Sequence, residues 1–207
     1  MPHDELAERT RALRADFFKG NIELFATLSD QGQSPEILFI GCDDSRVIPE
    51  AIMGAGPGEL FVLRVIANIV PPYGISERSV GATLEYALRY LEVQHIIVCG
   101  HIDCGGIKAL DAQLDQLYEP HLAQWLEYAR PAQTQVDARG VEPDFRHRTI
   151  VEQNVLLQWD NLLTYDVVRQ ALERSELELH GWVYDLSTGR ISYWDAEAEG
   201  FIDEGRD

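Results

Sequence analysis

Three short, uninterrupted apolar runs stand out along the chain: Ile37-Leu38-Phe39-Ile40, Leu60-Phe61-Val62-Leu63 and Ile96-Ile97-Val98-Cys99. Unbroken runs of this length suit strands covered on both faces, as in a parallel sheet. Val80 to Leu91 has helical periodicity and feeds the third run, so strand, helix and strand read as a βαβ unit. Helical spacing also marks 4–29, with Gly20 as a break, and Pro49 to Met53, where the proline suits a first turn. Residues 107–128 are expected to be helical, and Ile150 to Leu172 to form one long amphipathic helix. Pro131 to Pro143, polar and rich in turn formers, reads as the loosest stretch. Leu177 to Tyr184 and Arg190 to Trp194 form a C-terminal strand pair around Ser187-Thr188-Gly189. The last 13 residues hold six acids and one arginine and read as a solvated tail. The expected fold class is α/β: a mainly parallel central sheet flanked by helices, with an N-terminal helical arm and a C-terminal strand pair.

Length and charge narrow the picture. At roughly 150 residues per domain, a chain of 207 residues is expected to be one domain over 1–207, with 1–29 as the arm and 195–207 as the acidic tail. Thirty-five acids against 17 bases leave a formal charge of −18, and phosphate-backbone binding needs the opposite sign. Nucleic acid and anionic membrane are therefore excluded as expected partners. No apolar run reaches the roughly 18 residues of a membrane-spanning helix. The acidic start, Met1-Pro2-His3-Asp4-Glu5, does not read as a secretory signal. Cys42, Cys99 and Cys104 are too few and too odd in number for a disulfide framework, which points to the cytoplasm.

Chemistry concentrates in two segments, Gly41-Cys42-Asp43-Asp44-Ser45-Arg46 and Gly100-His101-Ile102-Asp103-Cys104-Gly105-Gly106. Each directly follows a buried apolar run. Ligands of open parallel sheets bind beyond the carboxyl ends of the strands, so Cys42 and the pair His101/Cys104 are expected at one edge. Two thiolates and an imidazole suit zinc, and three protein ligands leave a fourth position open for chemistry. Such a site has a formal charge of zero, so it acidifies water less than an all-imidazole site does. A nearby acceptor would help, and Asp44 is placed to be one. Left free, Asp44 would compete for the open position; Arg46 can hold it away with paired charge-assisted hydrogen bonds. Cys99 lies inside a strand and is expected only to pack.

These segments, together with Gly32-Gln33-Ser34-Pro35, Pro57-Gly58-Glu59-Leu60-Phe61-Val62 and Leu179-His180-Gly181-Trp182-Val183-Tyr184-Asp185, resemble the β-class carbonic anhydrases over about residues 32–193. The likeness is to bacterial and plant-like members, including those linked to cyanate operons. It implies one zinc ion per chain on Cys42, His101 and Cys104, with Asp44 and Arg46 as a catalytic dyad. It also implies a substrate pocket lined by Phe61, Ile66 and Tyr86, an orienting amide at Gly105, and Gln33 supplied by a neighbouring subunit. The implied activity is reversible hydration of carbon dioxide to bicarbonate and a proton by metal-hydroxide attack, a lyase reaction.

Two positions depart from the resemblance: Val65, where asparagine is common, and Asp43, where small polar residues are common. The competing functions are hydrolysis of carbon disulfide or carbonyl sulfide on the same scaffold, and a noncatalytic zinc-binding module. The second gives no reason for Asp44, Arg46 and Gln33. Phe17, Phe18, Leu24, Phe25 and Leu28 offer more apolar surface than one short helix needs to dock. With the resemblance, this leads to an expected homodimer at least, and a homotetramer as the single best expectation.

Overall fold

The computed structural model describes residues 3–75, 78–112 and 119–203. It divides into an N-terminal unit, residues 1–34, and a larger unit, residues 35–207. In the first, α1 (His3–Leu13) runs into a π-helical turn at Arg14–Phe18, and α2 (Ile22–Gln31) follows the break near Gly20. The Phe25 ring stacks on Phe18 at 4.9 Å and meets Phe17 edge-on at 6.0 Å. Even so, none of the residues of α2 is buried, and Leu13, Phe17, Phe18, Ile22 and Leu24 are exposed.

The larger unit is built on a six-stranded sheet. Its strands are β1 (Ile37–Gly41), β2 (Leu60–Arg64), β3 (His95–His101), β4 (Glu178–Tyr184), β5 (Ile191–Asp195) and β6 (Gly200–Asp203). Their spatial order is β2-β1-β3-β4-β5-β6. The first four in that order run parallel and the last two are antiparallel additions. The chain leaves β1 toward β2 on one side and returns to β3 on the other, so β1 and β3 flank the point where strand order reverses. Ligands of such sheets bind there.

Helices α3 (Pro49–Met53) and α4 (Ser79–Arg89) link these strands. After β3 come α5 (Gly105–Ala109), α6 (Pro120–Leu126), α7 (Arg130–Arg139), α8 (Pro143–Leu162) and α9 (Asp166–Glu173). Leu38, Ile40, Ile96, Val98 and Val183 share the main core with Val151, Val155 and Leu162 of α8. α8 lies so close to the sheet that a Cβ on Gly100 would stand 2.8 Å from Val155, and one on Gly181 3.2 Å from it. Phe39, Ile97 and Cys99 form a smaller buried cluster that also takes in Ile37, Met53, Val62, Trp182 and Tyr184.

Several expectations need correction. Residues 131–139 of the stretch read as loose belong to the helix α7 (Arg130–Arg139). Pro131 stands in its first turn, Gly140 closes it at φ 66°, and Ala132, Gln133 and Val136 are buried. The long helix expected over 150–172 is two helices: Thr164 Oγ1 turns back to the Asn161 carbonyl at 2.6 Å, and Arg169 Nη1 donates to the Leu163 and Thr164 carbonyls. Of the 107–128 segment, residues 113–118 lie outside the described residues, as do 204–207 of the tail. The rest of the tail is not simply solvated. Residues 200–203 form β6, paired with β5, and Ser192 Oγ reaches Asp203 Oδ1 at 2.6 Å. Six acids in 13 residues hide the pattern of Phe201 and Ile202.

Candidate metal centre

Cys42 follows the last residue of β1, His101 ends β3, and Cys104 caps the first turn of α5. Because β1 and β3 are neighbours in register, with Gly41 beside Cys99, both strands deliver their next side chains to one edge. The two Sγ atoms are 3.9 Å apart, and the donor atoms of all three residues lie within 4.8 Å of one another. All three side chains are buried.

The donors suit a metal ion. His101 Nδ1 lies 3.0 Å from the Ile102 carbonyl, so Nδ1–H donates there and leaves the Nε2 lone pair free. Nε2 is buried and has no hydrogen-bond partner among the described residues. An orphaned imidazole nitrogen beside two sulfurs is costly unless an ion sits among them. The surroundings of Cys42 favour its thiolate form. Its contact with Cys104 Sγ and the Ala67 amide, which donates to it at 3.3 Å, lower its pKa against the opposing effect of burial. Cys104 moves the other way, raised by the neighbouring Cys42 and by its own burial. Two sulfurs and one imidazole nitrogen are zinc ligands.

Beside this trio, Arg46 grips Asp44 twice, from Nε to Oδ1 at 2.9 Å and from Nη2 to Oδ2 at 2.7 Å. The Arg46 amide adds a third bond to Oδ1 at 3.0 Å. The arginine holds the Asp44 carboxyl far below the usual carboxylate range. Oδ2 nevertheless stands only 3.8 Å from His101 Nε2. Arg46 is itself held: Nη1 reaches Asp103 Oδ2 at 2.9 Å, and Lys108 Nζ binds the other oxygen of Asp103. These two cations lower the Asp103 pKa to about 2, Lys108 contributing more. Asp103 and Lys108 escape sequence reasoning, because one acid among 35 carries no signal until the fold puts it beside Arg46. Arg64 also has a place, donating to the carbonyls of Cys42 at 3.2 Å and Asp44 at 2.6 Å.

An open cavity of about 450 Å³ adjoins Asp43, lined otherwise by Val65, Ile66, His121, Leu122 and Trp125. Trp125 Nε1 donates to the Ile66 carbonyl at 3.0 Å and so fixes its wall. Thus Ile66 and the departing residues Val65 and Asp43 meet in one place. Phe61 and Tyr86 are not among the lining residues; their rings pair with each other at 5.8 Å, and Tyr86 stacks on Tyr90 at 5.4 Å. Gly105 opens α5, with clear space where a Cβ would project. Gln33 belongs to the N-terminal unit, after the turn at Gly32. Cys99 is buried without a role at the centre, and burial pushes its pKa up to about 12.

The backbone behind the centre is held by α8. Asn154 Nδ2 donates to the Ala67 carbonyl, Gln158 Oε1 accepts from the Val70 amide, and Asn161 Nδ2 donates to the Val70 carbonyl. Ala67 has φ 56°, so a strained backbone presents its amide to Cys42. The spacing of 154, 158 and 161 marks one face of a helix, yet amides there read from sequence as solvent-facing.

The comparisons agree with this geometry. The carbonic anhydrase family model matches residues 37–191. A carbonic anhydrase of Pseudomonas aeruginosa is 43% identical over 190 residues, covering 90% of this chain and 85% of that protein. One from Synechococcus elongatus is 38% identical over 191 residues, covering 90% and 70%. Among solved structures, the β-carbonic anhydrase CcaA superposes with a TM-score of 0.90 at 38% identity, covering 97% of this chain and 98% of that one. A tetrameric β-carbonic anhydrase from Sordaria macrospora gives 0.79 at 34% identity, covering 92% and 95%. With its ligand trio at the strand-order reversal and relatives matched over nearly its whole length, the chain belongs to the β-carbonic anhydrase family.

Proposed function

We propose that Cys42, His101 and Cys104 hold the zinc ion with which this lyase reversibly hydrates carbon dioxide to bicarbonate and a proton. The observation that carries this reading is the trio itself: three buried donors within 4.8 Å of one another, with one orphaned imidazole nitrogen. Zinc on such donors supplies Lewis acidity and makes water a nucleophile near neutral pH.

The chain's own residues do the rest. Asp44, fully ionised, is an acceptor that orients the attacking water. Arg46 occupies the carboxylate bidentately and keeps it from moving the short distance toward the ligand trio, while Asp103 and Lys108 fix the arginine from behind. Val65, Ile66, Leu122 and Trp125 give the nonpolar substrate an apolar wall, and the Gly105 amide points a donor at one substrate oxygen. Gln33 reaches the pocket from a second subunit, and Phe61 and Tyr86 line it, as the family resemblance implies. The assembly is a homodimer at least, and a tetramer by likeness to the Sordaria enzymes. Three free cysteines suit a cytoplasmic protein, and among the described residues no helix is long and apolar enough to cross a membrane.

Stopped-flow carbon dioxide hydration with zinc quantified in the same sample tests this reading. Cys42→Ala is expected to lose most of the centre's zinc and nearly all hydration. Full zinc content and activity in that variant would remove Cys42 from the ligand set.

A further inference from the structure

At the far end of the same sheet, a second group of metal-ligating side chains has no part in the chemistry described so far. His95 opens β3, and Glu178 opens β4 directly beside it in parallel register, with His180 two residues on. Side chains two apart on a strand share a face, so all three project from the same side of the sheet. We propose that His95, Glu178 and His180 form a second metal site, for a divalent ion of the zinc, copper and nickel class.

Geometry carries the proposal. His95 Nδ1 lies 3.2 Å from His180 Nε2, Glu178 Oε2 lies 3.6 Å from the first nitrogen and 3.9 Å from the second. A triangle with these sides has a circumradius of about 2.1 Å, so one point is equidistant from all three atoms at that length. Zinc–nitrogen bonds are about 2.0–2.1 Å and zinc–carboxylate bonds about 2.0–2.2 Å. An ion in the plane of the donors therefore lies within bonding distance of all three, and a four-coordinate ion needs a small inward shift of the exposed Glu178 side chain. Two imidazoles and a carboxylate select this class over magnesium or calcium, which prefer all-oxygen shells.

The site is also partly preorganised. The amides of Gln94 and His95 both donate to the Glu36 carbonyl, and the Glu178 amide donates to the Gln94 carbonyl at 2.9 Å. The backbones carrying two of the ligands are thus pinned to each other and to the start of β1. Burial and the facing His95 lower the His180 pKa against the pull of Glu178. Both imidazoles are about a third exposed, so an ion can enter. Six residue steps along β3 separate His95 from His101, roughly 20 Å at the rise of a strand. One strand thus carries a ligand of each centre at opposite ends, and the two sites share no donor. An ion at the second site would clamp the start of β3 to β4.

The test uses the intact zinc-loaded oligomer, dialysed against a mild chelator and then titrated with Cu²⁺ under calorimetric and paramagnetic-resonance observation. One further equivalent per chain is expected, with a tetragonal spectrum showing nitrogen hyperfine structure and no thiolate charge-transfer band. His180→Ala, and independently the milder His95→Gln, should lose that equivalent while keeping the zinc of the cysteine centre. A wild type that takes up no further copper overturns the proposal. So does undiminished uptake in both variants, because the metal would then be bound elsewhere and the histidines would be only a hydrogen-bonded pair.

Discussion

Asp44 carries two demands that pull in opposite directions: it must stay charged beside the ligand trio, and it must not become a ligand. The bidentate Arg46 contact satisfies both, keeping the carboxyl ionised and tying up the oxygen that stands 3.8 Å from His101 Nε2. Asp44→Asn preserves shape but loses the charged acceptor, and its amide forms a poor partner for the guanidinium. The expected result is retained zinc with kcat/KM lowered by about 10²–10⁴, the usual worth of a positioned acid–base or orienting group. Unchanged hydration kinetics across pH would remove Asp44 from the mechanism. The trio and the Asp44–Arg46 dyad were legible in the sequence because each follows an apolar run that can only be a buried strand. Asp103 and Lys108 were not. Asp103 has φ 67° in a tight turn, and the turn, rather than the residue type, aims it at Arg46.

Elements built from unbroken apolar runs were readable at the same level: β1 and β3 are buried almost throughout, and β2, at the edge of the sheet, is buried in part. Elements whose order comes from pairing with others were not. α7 has few apolar positions, and part of its anchoring is electrostatic: Arg146 of α8 reaches Asp137 of α7 at 2.7 Å and Asp111 at 2.9 Å. The pH dependence of this link has a definite sign. Arg146 lowers the Asp137 pKa from 3.8 in the folded chain. A depressed carboxyl contributes stability that is complete above its unfolded value and is lost as pH falls through its folded one. Arg146→Met should therefore lower the melting temperature slightly near pH 7, as expected for a solvent-screened surface pair. That deficit should shrink as pH drops below about 4, where the unfolded carboxyl begins to hold its proton. Thermal unfolding of both proteins from pH 7 to pH 3 checks it, and a deficit independent of pH would assign the effect to lost packing of the arginine stem.

At the scale of the whole molecule, the three proposed zinc ligands come from one chain, and the cavity beside them among the described residues is open. The cavity beside Asp43 is open, Phe61 and Tyr86 are not in its lining, and Gln33 lies in the N-terminal unit with its unburied apolar side chains. On the proposed reading each pocket is finished by a second copy, and a two-fold dimer would supply two such pockets by symmetry. Complementation between two impaired variants tests this. Cys42→Ala lacks a zinc ligand but keeps Gln33, while Gln33→Ala keeps the ligands and lacks the amide. If Gln33 acts across the interface, a mixed dimer contains one intact site, made of the second variant's zinc centre and the first variant's glutamine. Random pairing of equal amounts makes half of the dimers mixed, so about a quarter of wild-type activity should return on co-expression, given a symmetric two-fold assembly. If Gln33 serves its own chain, no mixed dimer holds an intact site and the activity stays at the mean of the two variants. That outcome would assign Gln33 to its own chain and overturn the shared-pocket reading.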